Sequence, residues 1–305
     1  MRRPGDTEVS APRVLVSVLA YNSPETTAET LRSLRRQTHA NFQLLLVDNA
    51  SERGAFEGTA REFPGLEVRR LPANLGYTGG VNFALDFARA GGYDCVLAAT
   101  HDVEAGPRAL EQLLETAASR ADAGVVGGVE FDPTTGRERA SAGGLYSKWF
   151  SRLKWGSAPR AEAAAAREVF CVHGALLLVT GRALAAGVRF DESLFMYFDE
   201  VDLGFKLREK GLRALVDSRV VFRHNRGPET FEPRVGRLMQ RNRLQVLRRH
   251  GRRHHLLFYT LYSSLLELPA KVAYRSLQGR ARFALACLAG QLEGLRGYKG
   301  QNHPR

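Results

Sequence analysis

The sequence predicts an α/β protein built on a doubly wound, mostly parallel sheet, followed by a basic, helical C-terminal region. Three observations carry that expectation. Runs such as Val14-Leu15-Val16-Ser17-Val18-Leu19-Ala20 and Gln43-Leu44-Leu45-Leu46-Val47 are almost wholly apolar, as strands buried on both faces are. Segments with helical periodicity separate them, so strand, helix and strand succeed one another within 35 residues, the spacing of a βαβ unit. Charge is unevenly distributed. From Arg226 to Arg305 there are 16 Lys/Arg against 4 Asp/Glu, leaving 28 of each for the residues before, within a net charge of +12.

In chain order, Met1 to Pro12 reads as a polar leader and Val14–Ala20 as the first strand. Tyr21-Asn22-Ser23-Pro24 is turn chemistry, with Ser23 a candidate N-cap and Pro24 suited to the first helical position. A helix to about Gln37 leads to the strand ending at Asp48-Asn49-Ala50-Ser51. A weak strand over Leu66 to Leu71, a helix over Tyr77 to Arg89 and a strand over Tyr93 to Ala99 follow, the last running into Thr100-His101-Asp102. Pro107 opens a helix to Arg120, and Gly124 to Val129 is a short strand. From Phe131 to Arg167 the pattern degrades into an irregular insertion or hairpin. Gly174 to Thr180 is again strand-like, Val201 to Lys210 is helical with Gly211 at its C-terminal stop, and Leu212 to Phe222 holds one more strand. The expected organisation is a leader at 1–12, a catalytic domain at 13–227 and a basic helical region at 228–305.

Composition excludes several classes. A chain of 305 residues with 44% apolar, 25% charged and 9% aromatic residues is an ordinary soluble globular protein. Cys95, Cys171 and Cys287 are far apart, which argues against a disulfide framework or a cysteine-built zinc site. No apolar run opens the chain and no span of bilayer length occurs, so neither a signal peptide nor a membrane crossing is expected. The dinucleotide and P-loop glycine signatures are missing as well.

Ligands of open α/β sheets bind at the C-terminal ends of the strands. Four strands end in polar pairs, Tyr21-Asn22, Asp48-Asn49, His101-Asp102 and Arg223-His224, each of which could also be turn chemistry. The glycine-rich Leu75-Gly76-Tyr77-Thr78-Gly79-Gly80-Val81-Asn82 lets backbone approach a ligand closely. Phe195-Met196-Tyr197-Phe198-Asp199-Glu200-Val201-Asp202 sets three acids at a helix start beside an apolar wall. Capping accounts for Asp199 and Asp202, whereas desolvation beside that wall suits a general base. Cys171 and His173 fit packing, or His173 faces a ligand. Trp149 and Trp155 fit either an aromatic stacking platform or hydrophobic cover.

Together these segments, in this order and over roughly residues 12 to 227, resemble family 2 glycosyltransferases of the GT-A fold, particularly the rhamnosyltransferase-like branch. The resemblance implies inverting transfer of a sugar from a nucleotide-diphosphate donor, a UDP- or dTDP-sugar with rhamnose among the candidates, to a glycan or lipid-linked hydroxyl in cell-envelope polysaccharide synthesis. It implies that Tyr21, Asn22 and Asp48 surround the base and ribose, and that Asn74, Gly76, Gly79, Asn82 and His101 complete the nucleotide site. Asp102 and His224 would hold a divalent cation, Mg2+ or Mn2+. Thr100 stands where the family usually has an acid or Asn, so Asp102 is the only carboxylate of that motif. The family's Glu-Asp pair reads Asp199-Glu200 here, which makes Glu200 the expected base and Asp199 the alternative. The second reading is a catalytically silent nucleotide-sugar or glycan binder of the same fold.

Residues 233–255 combine helical periodicity with eight arginines, and apolar stretches of about half a membrane span follow. That pattern suits attachment to an anionic membrane surface at the cytoplasmic face, or a helical subdomain closing the acceptor side with its arginines solvated. Nucleic acid is not an expected partner, because no recognition module accompanies the charge.

Overall fold

Residues 11–131, 141–157, 166–225 and 232–297 are described by the computed structural model. Met1 to Ser10 of the expected leader, and Arg226 and Gly227 at the expected domain boundary, lie outside the described residues. The first half runs β1 (Val14–Ala20), α1 (Pro24–Arg35), β2 (Phe42–Asp48), α2 (Glu57–Glu62), β3 (Glu67–Arg70), α3 (Gly76–Ala90) and β4 (Cys95–Thr100). The second runs β5 (Val103–Ala105), α4 (Ala109–Ser119), β6 (Ala123–Phe131), β7 (Ser141–Ser147), β8 (Arg152–Ser157), β9 (Arg167–Val169), β10 (Leu176–Val179), α5 (Gly181–Ala185), α6 (Asp199–Glu209) and β11 (Arg213–His224). Then come α7 (Pro233–His250), α8 (Arg253–Tyr262), a π-helical turn over Ser263–Glu267, α9 (Leu268–Leu277) and α10 (Ala281–Arg296).

The sheet order is β3-β2-β1-β4-β10-β6-β11-β5. β3, β2, β1 and β4 pair in parallel, as do β6 and β11. The strand expected over Gly174 to Thr180 is present as β10, but it lies antiparallel between β4 and β6. The chain leaves β1 in one direction to β2 and β3, then returns to its other side as β4, which makes β1/β4 the switch point.

Both faces of the sheet are covered, which is why its strands read as unbroken apolar runs. Leu15, Leu19, Val96 and Leu177 point toward Leu85 of α3 and Leu207 of α6. Val14, Val16, Leu97 and Leu178 point the other way, toward Leu31 of α1 and Leu110 of α4. α2, β5, β9 and α5 went unread because three to six residues carry too little periodicity to register. The irregular stretch after Phe131 holds the β7–β8 hairpin. Ser23 does occupy the N-cap of α1, yet its hydroxyl donates to the Tyr21 carbonyl instead of capping the helix.

α7 departs most from expectation. Arg241 is fully buried and Arg243 nearly so, alongside Gln240, Asn242 and Gln245. Its inner arginines are therefore neither solvated nor available to a membrane, and α7 is an internal strut. α10 packs along it through small residues. A Cβ on Gly290 would sit 2.1 Å from the Arg237 carbonyl oxygen, so only glycine allows that approach. Gly290→Ala should accordingly cost about 1–3 kcal/mol, the usual penalty for overpacking. Gly58→Ala, which meets open space in α2, should leave thermal melting unchanged or raise it.

Candidate active site

The ends of β1, β2 and β3 lie beside the β1/β4 switch point and carry the first group of expected residues. Tyr21 is exposed at the end of β1. Asn22, in the left-handed region at φ 49°, accepts from the Glu52 amide (2.7 Å), and its own amide donates to Ser51 Oγ (2.9 Å). Asp48 is buried and accepts from the Ser51 amide (2.8 Å) and from Arg70 Nη1 (2.6 Å). Asn49 accepts from the Leu75 amide (2.9 Å) and donates to the Gly76 carbonyl (3.1 Å), which ties the β2 end to the start of α3. Asn74 accepts from the Gly76 amide (2.9 Å), fixing the turn there. Gly76 has φ 70°, and a Cβ on it would meet the Phe195 carbonyl at 2.3 Å. Gly79 is buried, and a Cβ there would meet Leu75 Cβ at 2.4 Å. Both glycines serve loop packing. Asn82 is buried in the second turn of α3. It donates to the Phe190 carbonyl (3.0 Å) and Glu192 Oε1 (2.9 Å) and accepts from the Phe190 amide (2.9 Å). Its amide thus braces the 190s loop against α3.

A second group begins one strand over. Thr100, at the position where the family usually has an acid or Asn, donates to Asp102 Oδ1 (2.6 Å) and so orients that carboxylate. His101 precedes Asp102, and its carbonyl accepts from Thr30 Oγ1 (2.7 Å). Asp102 Oδ2 lies 3.2 Å from His224 Nε2 at the end of β11. His224 Nδ1 lies 2.8 Å from Glu130 Oε1, and Glu130 Oε2 lies 2.6 Å from His173 Nδ1. The His173 ring stacks on Trp155 of the hairpin with centroids 3.6 Å apart. Burial opposes charge on both Asp102 and His224, but their pairing outweighs it. Asp102 is held below the ordinary carboxylate range, and His224, between two carboxylates, is pushed up to about 9. Glu130 was missed because its strand was read as ending at Val129, whereas β6 continues to Phe131.

The acid pair opens α6 from a distorted loop. Phe195, Tyr197 and Phe198 all have positive φ, a conformation that costs on the order of 1–3 kcal/mol per residue and persists only where surroundings impose it. The surroundings are identifiable. Asn242 of α7 donates its side-chain amide toward the carbonyls of Leu194 (3.0 Å), Met196 (2.8 Å) and Tyr197 (2.7 Å). Arg241 Nη2 donates to those of Ser193 (3.1 Å) and Leu194 (2.9 Å), and the Thr78 amide donates to Phe195 O (3.1 Å). Asp199 is buried as the first residue of α6, with Phe198 at the N-cap, so it does not cap the helix itself. Burial, then the charge of Glu200, pushes the Asp199 carboxyl well above its ordinary range. Glu200 is half-buried. Asp202 turns away to His250 Nε2 (2.8 Å) and Lys206 Nζ (2.7 Å). Burial and then the charge of Glu200 raise the Cys171 thiol, so it packs and is no nucleophile.

The two groups share one wall. The Tyr77 hydroxyl, pushed up by burial and then by the charges of Asp199 and Glu200, donates to the Gly174 carbonyl (2.7 Å). Gly174 follows His173, whose Glu130 partner reaches His224 and Asp102. Trp149 stands away from this wall, edge-on to Phe258 of α8.

A mostly parallel sheet with a carboxylate–histidine pair at its strand ends and an acid pair opening the facing helix is the GT-A arrangement of glycosyltransferases. The family model for glycosyl transferase family 2 matches residues 16–169. An N-acetylglucosaminyl-diphospho-decaprenol L-rhamnosyltransferase of Mycobacterium tuberculosis is 32% identical over 215 residues, 64% of this chain and 70% of the relative. The chain belongs to glycosyl transferase family 2 and is a glycosyltransferase enzyme of the rhamnosyltransferase-like kind. Among solved structures, GalNAc-T7 with UDP, GalNAc and Mn2+ superposes with a TM-score of 0.67 at 12% identity, over 96% of this chain and 59% of that one. The mannosyltransferase PcManGT of Pyrobaculum calidifontis, in complex with GDP-Man and Mn2+, gives 0.58 at 17% identity over 95% and 89%. S. aureus TarS 1-349 in complex with UDP gives 0.54 at 18% identity over 93% and 92%.

The Asp199 environment sets a sign for stability. A carboxyl raised on folding stabilises the native state least once the pH exceeds its ordinary value of 3.8, because the unfolded chain then ionises freely and the folded one resists. Asp199→Asn removes that opposition. Its melting temperature should exceed that of the parent, by a margin that widens as melts are taken from pH 4 toward pH 8.

Proposed function

We propose that this glycosyltransferase moves a sugar, with inversion, from a UDP- or dTDP-linked donor to a hydroxyl of a lipid-linked or glycan acceptor in cell-envelope polysaccharide synthesis. The relative's name, an L-rhamnosyltransferase acting on N-acetylglucosaminyl-diphospho-decaprenol, supports rhamnose as the sugar and a polyprenyl-diphosphate saccharide as the acceptor. A lipid-linked acceptor and the tail charge support work at an anionic membrane surface, on the cytoplasmic face of the plasma membrane. The observation carrying the reading is the single wall that joins Asp102 and His224 to Asp199 and Glu200.

In this reading the nucleoside lies over the ends of β1 and β2, with Tyr21 beside the base and Asp48 and Asn22 fixing the surrounding loops. Asn74, Gly76, Gly79 and His101 shape the floor. Asp102 and His224 fit a divalent cation, Mg2+ or Mn2+. A cation would take the place of the Nε2 proton that His224 shares with Asp102, leaving one carboxylate oxygen and one imidazole nitrogen to hold it, while Glu130 stays on the far nitrogen of His224 as metal-binding histidines are commonly held. Among the described residues no group of three or more His, Cys, Asp or Glu is arranged as a ready cage, which leaves the remaining positions to diphosphate oxygens and water. Such a cation, when bound, supplies charge neutralisation of the leaving diphosphate. Glu200, longer and less buried than Asp199, takes the proton of the acceptor hydroxyl. The oxygen then bonds to the anomeric carbon from the face opposite the diphosphate. The bond from that carbon to the diphosphate oxygen breaks, and the nucleoside diphosphate leaves with the electron pair.

Glu200→Gln should lower turnover by about 10²–10⁴-fold, with donor affinity by calorimetry unchanged. Turnover equal to the parent's would transfer the role to Asp199. Glu130→Gln removes the buried charge that faces His224 Nδ1, and should weaken Mn2+ binding about 10–100-fold in a direct titration without substrate. Calorimetry across UDP- and dTDP-sugars, with and without Mg2+ or Mn2+, identifies the donor, and failure of every donor to bind would overturn the reading.

A further inference from the structure

α10 is amphipathic in the opposite sense to a water-facing helix. The side against α7 is small, made of Ala284, Cys287, Gly290, Gln291 and Gly294, while Leu285, Leu288, Leu292 and Leu295 stand exposed. Their spacing of three, four and three residues places them in one stripe. The helical run from α8 through α9 repeats the inversion. It buries Tyr259, Ser263 and Leu268 but exposes Leu257, Leu261, Leu265, Leu266 and Leu277, the last at 89%. A buried leucine is worth roughly 1.5–3 kcal/mol, so a surface leaving this many in water forgoes a large stabilisation unless something covers them.

We infer that the surface of α8, α9 and α10 turned away from α7 seats in the headgroup region of an anionic bilayer, with the helices lying in the membrane plane. Among the described residues no helix is long and apolar enough to cross a membrane, which leaves in-plane seating. The charge specifies the lipid. Arg252, Arg253, Arg280 and Arg282 are exposed around the leucines. The two acids of these helices are neutralised from within, Glu267 by Arg243 (2.6 Å) and Glu293 by Arg237 (2.6 Å). Each basic residue near such a surface contributes about 1 kcal/mol. Two copies of the chain meeting through this face would instead oppose like-charged rims. Aromatic residues mark its edge, where Trp149 and Phe150 of the hairpin turn pack on Phe258 and Tyr262, as amphipathic rings do at membrane interfaces.

This deepens the reading of a lipid-linked acceptor and rests on it for purpose. α7 holds the Asp199 loop through Asn242 and carries α10 through its glycine contacts, so seating the outer helices fixes the height of the acid pair above the lipid.

The test uses the full chain and vesicles of phosphatidylcholine alone or mixed with phosphatidylglycerol. The parent should co-sediment with the anionic vesicles, less so as salt rises, and weakly with the neutral ones. The triple variant Leu285→Ser, Leu288→Ser, Leu292→Ser should melt no lower than the parent, lose at least about tenfold in vesicle affinity, and keep its turnover on a water-soluble acceptor analogue. No sedimentation with anionic vesicles overturns the proposal. So does a dimer in sedimentation equilibrium that the triple variant converts to monomer, since a second copy then covers the face. Vesicle binding by a parent that transfers no sugar supports the surface and fails the transfer reading alone.

Discussion

The arrangement depends on one side-chain amide. Asn242 donates toward three carbonyls, those of Leu194, Met196 and Tyr197, in a loop where Phe195, Tyr197 and Phe198 adopt a conformation that isolated L-residues avoid. Without that clamp the loop would relax toward ordinary backbone angles, and the start of α6 would move with it. Arg241 reinforces the hold from a fully buried position, where its charge is tolerated because carbonyl oxygens and the Asn242 side chain accept its N–H groups. The C-terminal region is thus part of the acid pair's mounting.

The other end of the wall is organised by a carboxylate. Glu130 reaches two histidines, with Oε1 2.8 Å from His224 Nδ1 and Oε2 2.6 Å from His173 Nδ1, and so fixes the orientation of both rings. One of them faces Asp102, and the other lies flat on Trp155 at the hairpin. A single buried charge therefore ties the Asp102–His224 pair to the hairpin. The Tyr77–Gly174 bond carries the same wall on to α6.

The strand ends were legible because their features are local. Apolar runs that stop at Asn22, Asp48 and Asp102 announce themselves through turn residues. Asp48 and Asp102 each have a partner close in sequence, Ser51 and Thr100, whereas Asn22 meets Ser51 and Glu52 from the next strand's end. Tertiary contacts resisted reading. Nothing in a stretch of arginines distinguishes Arg241 and Arg243, which point inward, from Arg252 and Arg253, which do not. Asn82 sits in a glycine-rich segment that reads as ligand-binding, yet its partner is more than 100 residues away. Glu130 was lost to a strand boundary placed two residues early, the least certain feature of any sequence pattern. The direction of β10 was likewise hidden, since an apolar run gives burial and no polarity.

That reversed strand has an outcome for how such an enzyme diversifies. Because β10 runs against its neighbours, the segment that enters it, Cys171 to Gly174, arrives at the same rim as the segments that leave β4 and β6. An excursion inserted between β6 and β10, here carrying the β7–β8 hairpin, consequently reaches that rim, where Trp155 stacks on His173, and pairs with β6 rather than with β1 to β3. Lengthening or recomposing that excursion would reshape the β6 side of the rim and leave the β1-to-β3 side intact, so the two sides can evolve on separate stretches of chain.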